Sequence, residues 1–332
     1  MKKLYVLVLI LLVACKNNPS EKILMHHVGE ALGTTYSIRY ESDKNFQNEI
    51  DGIFNRVNQS MSTYLPDSDI SRLNAGEENI QVDSLFIEVF NASMEVWKAT
   101  DGYFDPTVGP LVNAYGFGPI KKIDTLNPQV IDSLRQFVGI DKITIYRDGT
   151  VIKEDPRVFI DFNAIAKGYT VDLIGRMLDQ KGIKNYLIEI GGELLAKGMN
   201  REKESDWVVA IDHPLQKESR EIIKTIYLKN LGMATSGNYR KTYTDSLTGQ
   251  VYNHTINPKT GHPQKNNILS VTVLAENSML ADAYATALLV MDFESSKNFL
   301  KATPIEVYMI YIDEDKNLEE YMTDGFKNRI VE

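Results

Sequence analysis

The stretch from His254 to Leu289 places polar, chemically capable side chains in an apolar context. Its second half predicts a helix that is apolar on nearly every side and therefore buried. Asp282 and Thr286 stand four residues apart in this helix, so they share one face. A buried carboxylate is costly unless a basic partner or a hard cation compensates it. Asp282, a hydroxyl and backbone carbonyls would form an oxygen-rich set of the kind that Mg²⁺ accepts.

For a helix considered alone, it is more common that two such polar side chains lie on a narrow solvent-exposed stripe and have no function beyond solvation. The loop before the helix favours a site. From His254 to Pro263 the chain reads HTINPKTGHP, a rigid and polar sequence that leads into the same strand and helix. Binding and catalytic residues are usually carried on such loops by a rigid scaffold.

Three further segments carry residues that could contact a ligand. Residues 101–118 contain four glycines, two prolines and four aromatic residues, which would let backbone and rings approach a ligand closely. Tyr64 could stack on a planar ligand. Lys167 follows a strand that ends in Asp161 and stands at the mouth of a predicted helix, where it could hold a phosphate. Each has a purely structural alternative: residues 101–118 could be a tightly turned loop, Tyr64 a half-buried residue that anchors its loop, and Lys167 an exposed lysine on a helix.

The elements that position these residues predict an α+β fold with mainly antiparallel sheet and packed helices. Helices are expected at 47–61, 84–100 and 172–180, and Leu318 to Phe326 is expected to be a terminal helix or loop. Short strands are joined by turns such as Asp148-Gly149 and Gly191-Gly192-Glu193. No G-x-G-x-x-G sequence follows a predicted strand, which argues against a Rossmann-type dinucleotide site.

Composition limits the function further. The chain has 332 residues, of which 43% are hydrophobic, so it can bury a core as one large domain or two closely packed ones. Its formal net charge of -9 argues against a nucleic-acid binder, which needs a basic face for phosphates.

The first residues indicate export. Two lysines precede an apolar run from Leu4 to Val13 that is too short to span a bilayer, and Cys15, the single cysteine, follows. This arrangement resembles a bacterial lipoprotein signal; the alternative is an ordinary secretory signal with an incidental cysteine. We expect a signal peptide at 1–14, lipidated Cys15 with a flexible tether at 15–28, and one domain at 29–332. The protein would then be lipid-anchored in the cell envelope and face the periplasm.

Eight motifs in a fixed order point to one family. From Leu32 to about Met309 the chain resembles the ApbE family, the FAD:protein FMN transferases. The motifs are GTTY, MSTYLPDSDISRLN, GYFDPTVGPLVNAYGFG, DFNAIAKGYTVD, IEIGGELLAKG, ATSGNY, HTINPKTGHP and ADAYATAL. Asn257, Asn163 and Leu32 depart from the family's usual aspartate, glycine and methionine.

The resemblance implies a T-fold-like core and a reaction in which FAD is cleaved between its phosphates. FMN passes to a threonine or serine hydroxyl of a target protein, such as a subunit of a membrane redox complex, and AMP is released. Mg²⁺ would be held by the side chains of Asp282 and Thr286 and by the carbonyls of Ala164 and Ala285. The FAD contacts implied by the family are Leu32, Tyr64, Tyr103, Phe104, Asp105, Asp161, Lys167 and Ile256.

This chemistry requires a cation beside the diphosphate and an acceptor for the hydroxyl proton. His254 is a reasonable base because the ordinary pKa of histidine lies near neutrality, and Asp282 is the alternative. The competing functions are an FAD pyrophosphatase, which gives FMN and AMP, a non-catalytic FAD-binding lipoprotein, and a purely structural envelope lipoprotein.

Overall fold

The computed structural model describes residues 23–120, 123, 126–215, 221–237, 242–244, 251–253, 255–263 and 267–331. The predicted signal peptide, Cys15 and His254 lie outside these residues. No helix in the described part of the chain is long and apolar enough to cross a membrane.

Strands and helices follow one another in groups along the chain. The helices are α1 (Gln47–Met61), α2 (Asp69–Asn74), α3 (Ser84–Ala99), α4 (Gly109–Ala114), α5 (Pro128–Arg135), α6 (Ala166–Gln180), α7 (Ser278–Val290), α8 (Phe293–Leu300) and α9 (Asp324–Lys327). The strands are β1 (Ile23–Ala31), β2 (Thr34–Ser42), β3 (Ile143–Ile145), β4 (Val151–Lys153), β5 (Tyr186–Ile190), β6 (Glu193–Lys197), β7 (Trp207–Asp212), β8 (Ile222–Leu228), β9 (Leu231–Gly237), β10 (Thr242–Thr244), β11 (Val251–Asn253), β12 (Ile268–Ala275), β13 (Glu306–Ile312) and β14 (Leu318–Met322).

The main sheet has eight strands in the order β1-β2-β5-β6-β9-β12-β13-β14. Each neighbouring pair in it is antiparallel. The pairs β3–β4, β7–β8 and β10–β11 form smaller antiparallel ribbons. The predicted α+β class with mainly antiparallel sheet is therefore confirmed.

Helix α7 is the central helix of the fold. It packs against β9 and β12 on one side and against α6 on the other. Its alanines, with Leu288 and Leu289, are almost completely buried, as expected for a helix that is apolar around its whole circumference. The Asn277 side chain begins the helix by accepting a hydrogen bond from the Leu280 amide at 2.8 Å.

Helices α6 and α7 are joined by two carboxylates that cross between them. Asp172 on α6 accepts hydrogen bonds from the Ser278 and Met279 amides, both at 2.8 Å, and so supplies acceptors to the first turn of α7. In return, Asp282 on α7 accepts a hydrogen bond from the Gly168 amide in the first turn of α6 at 3.2 Å. Each helix therefore begins against a side chain of the other.

Asp172 gives the free energy of unfolding a pH dependence of definite sign. Burial raises its pKa from 3.8 to about 7, although the amides of Met279 and Ser278 oppose the rise. Between these two pKa values the folded state holds a proton that the unfolded state has lost. The free energy of unfolding therefore falls as the pH rises from about 4, and the contribution of Asp172 is lost once the pH has passed about 7. We expect Asp172→Asn to reduce the stability loss between about pH 4 and about pH 8 by a few kcal/mol, measured by urea unfolding.

Asp132→Asn, which changes an exposed carboxylate on α5, is the control and should leave that pH dependence as it is in the wild type. If Asp172→Asn and the wild type lost stability equally, the Asp172 carboxylate would have to be ionised throughout this range.

The structure corrects four boundaries. Residues 23–28, expected in the flexible tether, belong to β1, an edge strand in which even the apolar Ile23 and Val28 are exposed. Helix α6 begins at Ala166, six residues before the expected start. Residues 231–237 form the central strand β9, a segment rich in small residues for which no strand is predicted. Residues 318–322 form the edge strand β14, and α9 is a separate short helix.

Candidate active site

A cavity of about 860 Å³ lies beside α7, and its walls come from both halves of the chain. Its volume is within the range of pockets that hold small molecules and cofactors. The turn after β1, the end of α1 and the segment from Tyr103 to Phe117 form part of the wall. The start of α6, the turn between β5 and β6, the end of β9, the 255–258 loop and α7 complete it.

Most of the predicted site residues line this one cavity. They are Leu32, Tyr64, Tyr103, Phe104, Asp105, Asp161, Ala164, Lys167, Ile256, Asp282 and Thr286. Ala285 is not among the lining residues, because its side chain is fully buried against the sheet in the core that includes Val271 and Leu288. The structure therefore brings together residues that lie up to 254 positions apart, but it does not bring Ala285 to the cavity wall.

The α7 face of the cavity carries the predicted oxygen ligands. Asp282 is only 4% exposed, and burial raises the pKa of its carboxyl group, while Lys167 and the Gly168 amide oppose the rise. One turn further along α7, the Thr286 hydroxyl lies 3.3 Å from the Ser236 hydroxyl on β9. The four-residue spacing thus places a carboxylate and a hydroxyl on the same wall, as predicted.

Lys167 forms an ion pair with Glu193 across the cavity wall. The Lys167 Nζ atom lies 2.6 Å from Glu193 Oε1, and the two side chains are 30% and 5% exposed. Burial raises the Glu193 pKa to about 7; the positive charge of Lys167 opposes this rise and the negative charge of Asp282 adds to it. Lys167 is therefore a wall residue that neutralises a buried acid, and not an exposed helix lysine.

Glu193 is not among the predicted site residues. From the sequence, Gly191-Gly192-Glu193 is predicted only to form a turn. The signal in the sequence is a charged residue at the first position of a core strand directly after two glycines. Gly191 adopts a positive φ of 63°, which closes the turn tightly and places Glu193 opposite Ile190 in the sheet. A buried strand is an unusual place for an unpaired carboxylate, so the position itself predicts a partner.

Two further acids in the cavity wall are held by local hydrogen bonds. Asp105 accepts from the hydroxyl and the amide of Thr107, at 2.5 and 2.8 Å. Asp161 accepts from the Asn163 amide at 2.8 Å. Burial raises the pKa of both carboxyl groups. Both acids therefore fix the shape of their loops as well as adding negative charge to the wall.

The aromatic residues of the wall differ in what they can offer to a ligand. Tyr64 is 64% exposed, so its ring is available at the rim. The Tyr103 ring has the Lys259 ammonium 4.6 Å from its centroid. Phe104 is 2% exposed and belongs to the core, so its ring is not available for stacking. Of the three predicted aromatic contacts, only the two tyrosines are therefore available for stacking on a planar ligand; the partly buried Phe117 also lines the cavity.

The charge balance of the wall suits a divalent cation. Among the described lining residues there are four carboxylates, Asp105, Asp161, Glu193 and Asp282, and one basic residue, Lys167. The described residues contain no group of three or more His, Cys, Asp or Glu placed to hold a metal ion. A cation here would depend on Asp282, the Thr286 hydroxyl, a backbone carbonyl and oxygens of a substrate, a donor set that fits Mg²⁺ better than a softer metal.

Known proteins resemble this chain over most of its length. A model of the ApbE family matches residues 32–309. FAD:protein FMN transferases from Vibrio cholerae serotype O1 and Haemophilus influenzae are 37% and 36% identical, over 96% and 90% of this chain and 96% and 89% of their own lengths. The solved flavin transferase ApbE from Vibrio cholerae superposes with a TM-score of 0.80 at 36% identity, covering 93% of this chain and 99% of that chain.

The fold and the cavity, with these relatives, define an enzyme of the transferase class. The chain belongs to the ApbE family.

Proposed function

We propose that this chain is a Mg²⁺-dependent FAD:protein FMN transferase. It would attach FMN through a phosphoester bond to a threonine or serine of a target protein and release AMP. One observation carries the proposal: the Asp282–Thr286 face and the Lys167 ammonium line the same cavity, on elements that are far apart in sequence. Cleavage of a diphosphate depends on positioning and on positive charge, and this cavity offers the Lys167 ammonium together with oxygen ligands that could hold a cation.

Asp282, Thr286 and the Ala164 carbonyl are the residues that would hold Mg²⁺. Ala285 stays a prediction that rests on the family resemblance alone. When bound, the cation supplies a Lewis acid that offsets the negative charge of the diphosphate. The buried Asp282 carboxylate lies close to a second acid, Glu193, with one lysine in the same wall, so a cation would compensate its charge.

The remaining wall residues bind and orient the substrates. Tyr64 and Tyr103 offer ring faces to the planar parts of FAD, and Lys167 donates hydrogen bonds to the diphosphate. The acceptor hydroxyl oxygen attacks the FMN phosphorus in line, and the bond from that phosphorus to the oxygen shared with AMP breaks. The hydroxyl proton passes to His254 or to Asp282, and AMP leaves with the former bridging oxygen.

We also propose that the enzyme acts in the bacterial cell envelope. The basic residues, the short apolar run and Cys15 at the beginning of the chain support export and lipidation. Lipid-anchored to a membrane and facing the periplasm, the enzyme would meet acceptors such as subunits of membrane redox complexes.

The test is a mass spectrum of a candidate acceptor flavoprotein after incubation with the enzyme from Lys16 onward, FAD and Mg²⁺. We expect the acceptor to gain the mass of one FMN only when Mg²⁺ is present, and AMP to appear in equal amount. Free FMN and AMP without an adduct would instead show an FAD pyrophosphatase. Bound FAD with neither product would show a flavin-binding protein.

A further inference from the structure

We propose that Glu193 is a positioning residue of the transfer reaction, which holds the Lys167 ammonium where it can contact the FAD diphosphate. The inference rests on the proposed function for the identity of the substrate. Its structural basis is the ion pair between Lys167 Nζ and Glu193 Oε1, at 2.6 Å, in the wall of the cavity.

The two partners of this ion pair differ in how firmly they are held. Lys167 stands in the first turn of α6 and carries its charge on a flexible four-carbon side chain. Glu193 is the first residue of β6, and its backbone is fixed by pairing with Ile190 across a two-residue turn. The carboxylate is therefore the rigid partner, and it decides where the ammonium lies.

Glu193 is costly to the fold. Its side chain is 5% exposed, and its second oxygen, Oε2, is buried without a hydrogen-bond partner among the residues that the structure describes. A buried acceptor left without a partner destabilises a protein, and an apolar residue or glutamine would avoid the buried charge. Stability alone does not account for a glutamate at this position, whereas control of the Lys167 charge does.

The surrounding charges show what Glu193 prevents. Asp282 is close enough to raise the pKa of Glu193, and Lys167 acts electrostatically on both acids. Without Glu193, the Lys167 side chain would be drawn towards the remaining carboxylates of the wall. Glu193 thus keeps the ammonium on the β6 side of the cavity and leaves Asp282 to the cation.

The test is a double-mutant cycle with the wild type, Glu193→Gln, Lys167→Met and the double variant. FAD affinity is measured by quenching of flavin fluorescence, and the rate of FMN transfer is measured at saturating FAD. We expect Glu193→Gln to weaken FAD binding about tenfold. We expect the same change to slow transfer by about 10- to 100-fold.

In the Lys167→Met background, Glu193→Gln should change neither quantity further, because there is no ammonium left to position. Equal fold-changes in both backgrounds would overturn the proposal. Tighter FAD binding by Glu193→Gln would also overturn it, since the carboxylate would then act only by repelling the diphosphate. Glu49→Gln, which breaks the exposed ion pair between Glu49 and Lys181 outside the cavity, is the matched control and should match the wild type.

The same experiment separates this proposal from the proposed function. If the wild type binds FAD but transfers no FMN, the proposed function fails, and the cycle in FAD affinity still tests the link between Glu193 and Lys167. A purely structural ion pair would lower the thermal midpoint of Glu193→Gln and Lys167→Met without any coupling in FAD affinity. Glu193→Asp, which keeps the charge on a shorter side chain, should give intermediate values.

Discussion

Replacement of Asp282 by asparagine is expected to abolish Mg²⁺ binding and to slow FMN transfer by at least about 100-fold, since a metal ion contributes several kcal/mol to such a reaction. The fold should survive. The asparagine carbonyl can still accept the hydrogen bond that the Gly168 amide donates to Asp282 Oδ2. The change also removes a buried carboxyl group whose ionised form is unfavourable, as the raised pKa of Asp282 shows. Calorimetric Mg²⁺ titration and a single-turnover transfer assay measure the two effects.

Thr286 supplies the controls for this prediction. Thr286→Ser keeps the hydroxyl one turn from Asp282 and should retain most of the activity, whereas Thr286→Val keeps the shape and should lose much of it. Transfer by Asp282→Asn at a rate close to that of the wild type would contradict the assignment of Asp282 as the principal ligand, even if Thr286→Val were impaired.

Gly168→Ala is expected to destabilise the protein by about 3 kcal/mol, at the upper end of the usual cost of overpacking. A Cβ atom at this position would lie 2.3 Å from the Ser278 carbonyl oxygen and 2.9 Å from the Met279 Cα atom. Both are backbone atoms of α7, so the helices would have to move apart and stretch the hydrogen bond from the Gly168 amide to Asp282. Urea unfolding measures the loss, and FAD titration reports the accompanying damage to the cavity.

Gly52→Ala is the matched control, because Gly52 also lies inside a helix, α1, where an added Cβ would meet nothing within 4 Å. Alanine there should stabilise the protein by about 0.5–1 kcal/mol. If both variants changed stability by similar amounts, helix propensity and not the close contact of α6 with α7 would govern position 168.

Local patterns in the sequence were sufficient for much of the fold. Helix α1 begins and ends as predicted, because its buried residues, such as Ile50, Ile53 and Val57, recur at helical spacing. The β3–β4 hairpin follows from the turn at Asp148-Gly149. The four-residue spacing of Asp282 and Thr286 likewise predicted that both would face one side of α7, which the cavity confirms.

The errors concern features that depend on distant parts of the chain. The edge strands β1 and β14 and the small-residue strand β9 have weak local signals, and their partners in the sheet decide their conformation. The position of Lys167 at the mouth of a predicted helix and the family resemblance both pointed to this residue, but its pairing with Glu193 depends on the approach of α6 to β6. The role of Asp172 in joining α6 to α7 could not be predicted from local sequence, since its partner Ser278 lies 106 residues further along the chain.

The distribution of the cavity wall along the chain has a consequence for biosynthesis. The wall begins at Leu32 and is complete only with Val290 on α7. A chain still emerging from the ribosome, or one terminated before α7, would carry Tyr64 and Lys167 but neither Asp282 nor Thr286. Because the sheet must also join β2 to β12 through β5, β6 and β9 before the wall closes, the site is among the last features of the molecule to form. Under the proposed function, incomplete chains would therefore be unable to transfer FMN, and only the finished protein would be active.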